Sequence, residues 1–157
     1  MMKISGTLFK TLLILALTIP FAHAADDTWL KDKNGCAVFN PDPQPSESIV
    51  WSGKCKDGYA EGAGTLTWTV GGELDSTSTG TWKRGKMVGK GSIVYGNGER
   101  YDGGFLNDYW HGTGIYTMPD GRRYEGNFVE GDPKGDGIIT DSNGKKHPGS
   151  LDEFFDQ

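Results

Sequence analysis

Glycine pairs spaced as Gly-x-Gly occur four times in register along this chain: Gly62 with Gly64, Gly89 with Gly91, Gly112 with Gly114, and Gly135 with Gly137. Such pairs can cradle a phosphate, because bare backbone N–H groups approach an anion closely. None has the third glycine of a dinucleotide fingerprint; Gly112-Thr113-Gly114 runs on into Ile115-Tyr116-Thr117. None opens a helix that would present its N-terminus to the anion. Gly85-Lys-Met-Val-Gly89-Lys90-Gly91 comes near a phosphate-binding loop, but its spacing differs and glycine stands where Ser or Thr would hold a magnesium ion. The glycines therefore read as backbone punctuation.

Other reactive groups give no stronger pattern. There is no Gly-x-Ser-x-Gly nucleophile elbow. Asp102 and Glu125 occupy one repeat position and could face each other as the two carboxylates of a glycosidase do. That position is polar throughout the chain, however, so solvated side chains explain it. Asp32-Lys33-Asn34-Gly35 is too brief for a calcium loop. The two cysteines, Cys36 and Cys55, fit no zinc spacing and have no histidine cluster near them; beyond residue 24 the histidines are His111 and His147. In an oxidising compartment the pair forms one structural disulfide, which leaves no thiol for nucleophilic catalysis. No catalytic group, metal or cofactor is expected.

The compartment follows from the first residues. Lys3 and Lys10, the apolar run "TLLILALTIPFA" and the small-x-small step Ala22-His23-Ala24 have the order of a signal peptide over residues 1–24, cleaved after Ala24. The protein is thus expected to be periplasmic or secreted. The apolar run is shorter than the roughly 20 residues of a membrane span. The formal net charge is −5, and losing Lys3 and Lys10 makes the remainder more acidic still. That balance excludes the electrostatic footprint of a nucleic-acid binder and the polybasic cluster of an anionic-lipid binder. Lys83, Arg84, Lys86 and Lys90 form a local basic patch that reads as a solvated face.

The elements that hold these residues repeat. Gly80, Gly103, Gly126 and Gly149 are 23 residues apart, and Gly53 precedes Gly80 by 27, with an insertion placed in "GGELDSTST". Two residues before each anchor stand Trp51, Ser78, Tyr101, Tyr124 and His147; two after stand Cys55, Trp82, Phe105, Phe128 and Leu151. Residues two apart share one face of a strand, so bulky groups flank a bare glycine on the apolar side. The glycine leaves room for a ring from a neighbouring strand. A second strand follows each Gly-x-Gly, and Asn97-Gly98, Asp120-Gly121 and Asn143-Gly144 mark the turns. A type I turn with the glycine as a left-handed bulge residue suits Pro119 and pairs Ile93 with Tyr101, Tyr116 with Tyr124 and Ile139 with His147.

The stretch "YDGGFLNDYWHGTGIYTMPDGRRYEGNFVEGDPKGDG" resembles tandem MORN repeats, which read Y-x-G-x-[FW], then G-x-G, then a turn. The likeness covers about Val50 to Gly149; Ser78 and Cys55 depart from the aromatic pattern in the second and first units. The resemblance implies an all-β fold, a twisted and elongated single antiparallel sheet of stacked hairpins, used for protein or membrane contact and without catalysis. The expected organisation is an N-terminal segment and Pro-rich arm over 25–48 and about four repeats over 49–149 (49–75, 78–100, 101–123 and 124–146) with the start of a fifth. Residues 150–157 form a cap or tail, where the capping-box pattern Ser150-Leu-Asp-Glu153 competes with a frayed acidic end. A Cys36–Cys55 bond would tie the N-terminal segment to the first repeat, closing the uncovered end of the array.

Function on this reading lies in a surface. Trp68, Trp82, Tyr95, Tyr101, Tyr116 and Tyr124 alternate on the apolar side, and Tyr109-Trp110 form an apolar tip assigned to a loop. The expected role is a non-catalytic protein-interaction or scaffolding module at the cell envelope, with a carbohydrate- or peptidoglycan-binding protein as the alternative. A sugar reader would leave several rings exposed in a row, whereas a scaffold would bury them.

Overall fold

The computed structural model of the chain describes residues 29–156. The elements run β1 (Trp29–Lys31), β2 (Ala37–Phe39), β3 (Glu47–Trp51), β4 (Lys54–Lys56), β5 (Tyr59–Val70), β6 (Glu73–Lys83) and β7 (Lys86–Tyr95). They continue through β8 (Arg100–Leu106), β9 (Tyr109–Thr117), β10 (Arg123–Val129), β11 (Asp132–Pro133), β12 (Gly137–Thr140), β13 (Lys146–Gly149) and the helix α1 (Leu151–Phe155). All strands join one open sheet, almost wholly antiparallel. β5 to β10 pair each with the next, and β10 pairs both with the two-residue β11 and with β12. β3 and β4 both pair with β5, while β2 meets β5 in parallel through Ala37 and Tyr59.

Two kinds of turn alternate along the repeats. At Asn97-Gly98, Asp120-Gly121 and Asn143-Gly144 the glycines take φ of 88°, 89° and 84°. In each, the glycine N–H donates to the carbonyl three residues back: Tyr95, Met118 and Asp141. The side-chain Oδ1 of Asn97, Asp120 or Asn143 accepts the N–H two residues ahead. The register is the expected one: Ile93 opposite Tyr101, Tyr116 opposite Tyr124, Ile139 opposite His147. The other turns of units two to four are two-residue loops with both φ positive, at Arg84-Gly85, Asn107-Asp108 and Glu130-Gly131. Their backbone twist matches that of the flanking strands. The second residue of each fastens its hairpin to the preceding unit: Gly85 N–H donates to the Ala60 carbonyl, Asp108 to Met87 and Gly131 to Trp110.

The core lies on one face. Tyr101, Gly103 and Phe105 share it, and glycines pair across the sheet as Gly64 with Gly80, Gly91 with Gly103, Gly103 with Gly114, and Gly114 with Gly126. The space above this bare row is filled by rings. A β-carbon on Gly103 would lie 2.4 Å from the Tyr101 hydroxyl, and one on Gly114 would lie 2.3 Å from it. The ring thus folds back over the glycine of its own strand as well as over the neighbouring one, where only the neighbour had been anticipated. Its hydroxyl donates to the Gly104 carbonyl at 3.2 Å, and Trp51, its counterpart in the first unit, donates its indole N–H to the Lys54 carbonyl at 2.9 Å.

Where the sequence departs from the pattern, another group supplies the packing. Ser78 leaves unit two without a leading ring, and the Met87 methyl group from β7 lies against Gly80 and Gly91 instead. Cys55 replaces the following aromatic in unit one and is bonded to the buried Cys36 across a Cα–Cα distance of 5.5 Å. At the other end Ser150 caps α1 by accepting the Glu153 N–H, and Leu151 and Phe154 are buried. The tail is therefore a helix, laid over Tyr116 and Tyr124.

Candidate functional site

The expected ring surface is largely interior. Trp82, Tyr101, Tyr116 and Tyr124 are buried, so they offer no ring face to a partner. Burial pushes the Tyr101 hydroxyl up to about 12, with Tyr95 adding to the effect. Burial, and then the hydrogen bond to Glu99, push the Tyr116 hydroxyl up as well. Tyr109 and Trp110 begin strand β9 rather than sitting in a loop, because Asn107-Asp108 alone makes the turn. Successive residues of a strand point to opposite faces. Trp110 accordingly stacks on Tyr101 at 4.1 Å between ring centroids, while Tyr109 stays exposed beside Leu106 on the other face. Trp68 and Tyr95 are half-buried.

Trp68 borders a hollow beside the N-terminal arm. Phe39, Trp68 and Ile93 wall a cleft of about 560 Å³, floored by Ser76 and rimmed by Asp42, Glu47 and Asp75. The same three walls continue inward to a narrower space of about 150 Å³ that ends at Ser78, Trp82, Phe105 and Asp108. At the narrower end, unit two places Ser78 where units one, three and four place Trp51, Tyr101 and Tyr124. The arm is pinned above the cleft: Asn40 donates to Glu47 at 2.6 Å, and the Trp68 indole donates to the other Glu47 oxygen at 3.2 Å. The local field is negative, since burial and the charges of Glu99 and Asp75 push the Tyr95 hydroxyl up to about 12.

Asp108 is the unusual group of this region. Its Oδ1 accepts the Met87 N–H at 2.7 Å, whereas its buried Oδ2 has no hydrogen-bond partner. Burial pushes its carboxyl up to about 6, against the lowering effects of the Met87 bond and the Lys86 charge. The sequence reading passed over it, although a signal existed. Five residues after the anchor stand Gly58, Gly85 and Gly131, and only unit three has an aspartate there.

Asp102 and Glu125 both pair with Ile115, from opposite sides, so a strand lies between them, while both line a hollow of about 330 Å³ with Lys90. Arg100 holds the Asp102 carboxylate through two hydrogen bonds. His147 bonds to the Pro148 carbonyl and to Asp141, which together raise its pKa. Asp32 Oδ1 accepts the N–H groups of Asn34 and Cys36 and shapes the β1–β2 turn. Among the described residues no group of three His, Cys, Asp or Glu side chains could hold a metal ion.

Fold and site together define a β-hairpin repeat protein whose core face is packed with rings, with a cleft beside the N-terminal arm. The MORN repeat family model matches residues 52–73, 79–100, 101–122 and 124–146, and the chain belongs to that family. Repeats of this kind generally serve as protein- or membrane-interaction modules and are typically non-catalytic. Among curated proteins no match was found.

Proposed function

We propose that the chain is an exported, non-catalytic interaction module that docks a protein partner at the cell envelope. The observation that carries this reading is the cleft beside the arm. The repeats use their rings for internal packing, and the hollow beside the arm is lined by half-buried Phe39, Trp68 and Ile93. Apolar walls with a few polar groups at the rim are the ordinary make-up of a recognition site. Carbohydrate binding draws less support, because the rings that would form a stacking row are interior. Export rests on the leader over residues 1–24, which lies outside the described residues.

Two measurements test the proposal. The mass of the exported product should begin at Ala25; a product retaining Met1 would overturn soluble export. Cross-linking in intact envelopes, followed by mass spectrometry, should recover a protein that then binds the purified chain alone. Recovery of glycan fragments and no protein would favour the sugar-binding alternative.

A further inference from the structure

The two-part cleft has an uneven chemistry. Its outer rim carries Asp42, Glu47 and Asp75, and no basic side chain lines it. Its walls are aromatic and aliphatic, suited to the methylene stem of a long side chain or to the face of a guanidinium. Its inner end holds Asp108 Oδ2, buried and without a partner. A buried carboxylate oxygen left unpaired is costly, and a charge-assisted donor removes that cost. We propose that this cleft binds an extended cationic segment of a protein, with one arginine side chain running between Phe39, Trp68 and Ile93 to Asp108. The inference rests on the interaction-module reading and names the chemistry of its partner.

The charges around Asp108 are consistent with this. Lys86 on β7 is the charged neighbour whose field reaches it, yet that ammonium sits 3.7 Å over the Phe39 ring centroid and makes no ion pair with Asp108. The lining contributed by β2, β5, β6 and β8 is uncharged: Val38 and Phe39, Leu66 and Trp68, Ser78 and Trp82, and Phe105. The rim beyond them carries Asp42, Glu47 and Asp75. An arginine entering the cleft therefore meets an acidic rim, must pass the Lys86 ammonium over the Phe39 wall, and finds an unpartnered acceptor at its end. A vesicle surface of anionic lipid would meet repulsion from the same rim.

The test uses the purified chain and a fluorescein-labelled peptide Ser-Thr-Arg-Thr-Arg-Thr-Ser, beside its counterpart with citrulline for each arginine. Citrulline keeps the shape and removes the charge. The arginine peptide should bind about 10-fold more tightly or better, the scale of one charged hydrogen bond. Asp108→Asn should abolish that preference, and Asp75→Asn should reduce it. Asp152→Asn, on α1 away from the cleft, should leave it unchanged. Affinity of the unaltered protein should fall as pH drops through about 6, where Asp108 takes up its proton, and Asp108→Asn should show no such fall. Equal binding of the two peptides, or an Asp108→Asn profile that still falls with acid, would overturn the proposal. So would binding to phosphatidylglycerol vesicles that Asp75→Asn strengthens while the arginine peptide fails to bind. If a cross-linked partner is recovered and its capture survives both cleft substitutions, the module reading stands and the cleft assignment fails.

Discussion

Units two and three solve one packing problem differently. Unit three places Tyr101 over its own glycine pair, and the ring reaches far enough to close the core and to bond the Gly104 carbonyl. Unit two has Ser78 at that position and borrows Met87 from the next strand, whose thioether covers the same glycines. A ring is rigid and holds one place; a methionine is flexible and adapts to the gap it fills. The narrower end of the cleft lies beside it, at Ser78 and Met87. A repeat array can therefore acquire a site beside a unit that lacks its standard residue.

The largest effect is expected at the covalent end of the irregular half. Cys55→Ser should cost about 3 kcal/mol in urea melts, because the Cys36 bridge there replaces the aromatic of the regular units. An equal loss from reducing the bond in the unaltered protein would confirm that the bond and not the cysteine packing is responsible. The next contrast lies at the anchors. Gly103→Ala should cost about 3 kcal/mol, since the new methyl group meets the Tyr101 ring and the Gly114 backbone below 3 Å. Gly80→Ala should cost about 1 kcal/mol, since the Met87 methyl end can swing away. Equal costs would mean that ring and thioether are equally constrained, and the comparison would fail.

Asp108 holds in unit three the turn position that Gly85 holds in unit two. Asp108→Asn should stabilise by on the order of 2 kcal/mol at neutral pH, because asparagine keeps the acceptor for Met87, tolerates a positive φ and removes a buried charge. The Asp108 carboxyl sits at about 6 in the folded protein against 3.8 ordinarily. The folded state thus holds the proton more tightly, and stability falls as pH rises from about 4 to about 6. The advantage of the variant should vanish at about pH 4, as melts at the two pH values would reveal. An undiminished advantage in acid would mean that turn geometry, and not charge, is the cause. The bulged turns are alike in units two to four. Gly98→Val, Gly121→Val and Gly144→Val should each lower stability by about 1–3 kcal/mol, with asparagine much milder. Unchanged melting temperatures for all three valine variants would refute the left-handed role.

The turns and the register were legible because Asn-Gly and Asp-Gly carry a strong local preference for positive φ, and Pro119 selected between two pairings of Tyr116. The Cys36–Cys55 bond was legible from cysteine count. The second set of turns was not, because Asn107-Asp108 and Glu130-Gly131 are weak signals until the pairing of Leu106 with Tyr109 is known. Tyr109-Trp110 was misplaced in a loop for that reason. Ser78 was visible as a departure, yet nothing in the sequence says that Met87 covers for it. The cleft was beyond reading, since it depends on where the arm from Phe39 to Glu47 crosses the sheet. That crossing is fixed by tertiary contacts of Asn40 and Trp68 with Glu47.

The bonds that fasten each hairpin tip to the unit before it also govern how the molecule bears mechanical load. Tension applied at the two ends acts across the strands, so paired strands part by peeling, one hydrogen bond at a time, and not by shear. Peeling from the side of α1 and β13 passes inward unit by unit, each step releasing one tip bond: Gly131 from Trp110, then Asp108 from Met87, then Gly85 from Ala60. It halts at the Cys36–Cys55 ring, which no peeling force opens. Under load the protein is a tape riveted at one end, and its extensible length is the run of repeats beyond the rivet.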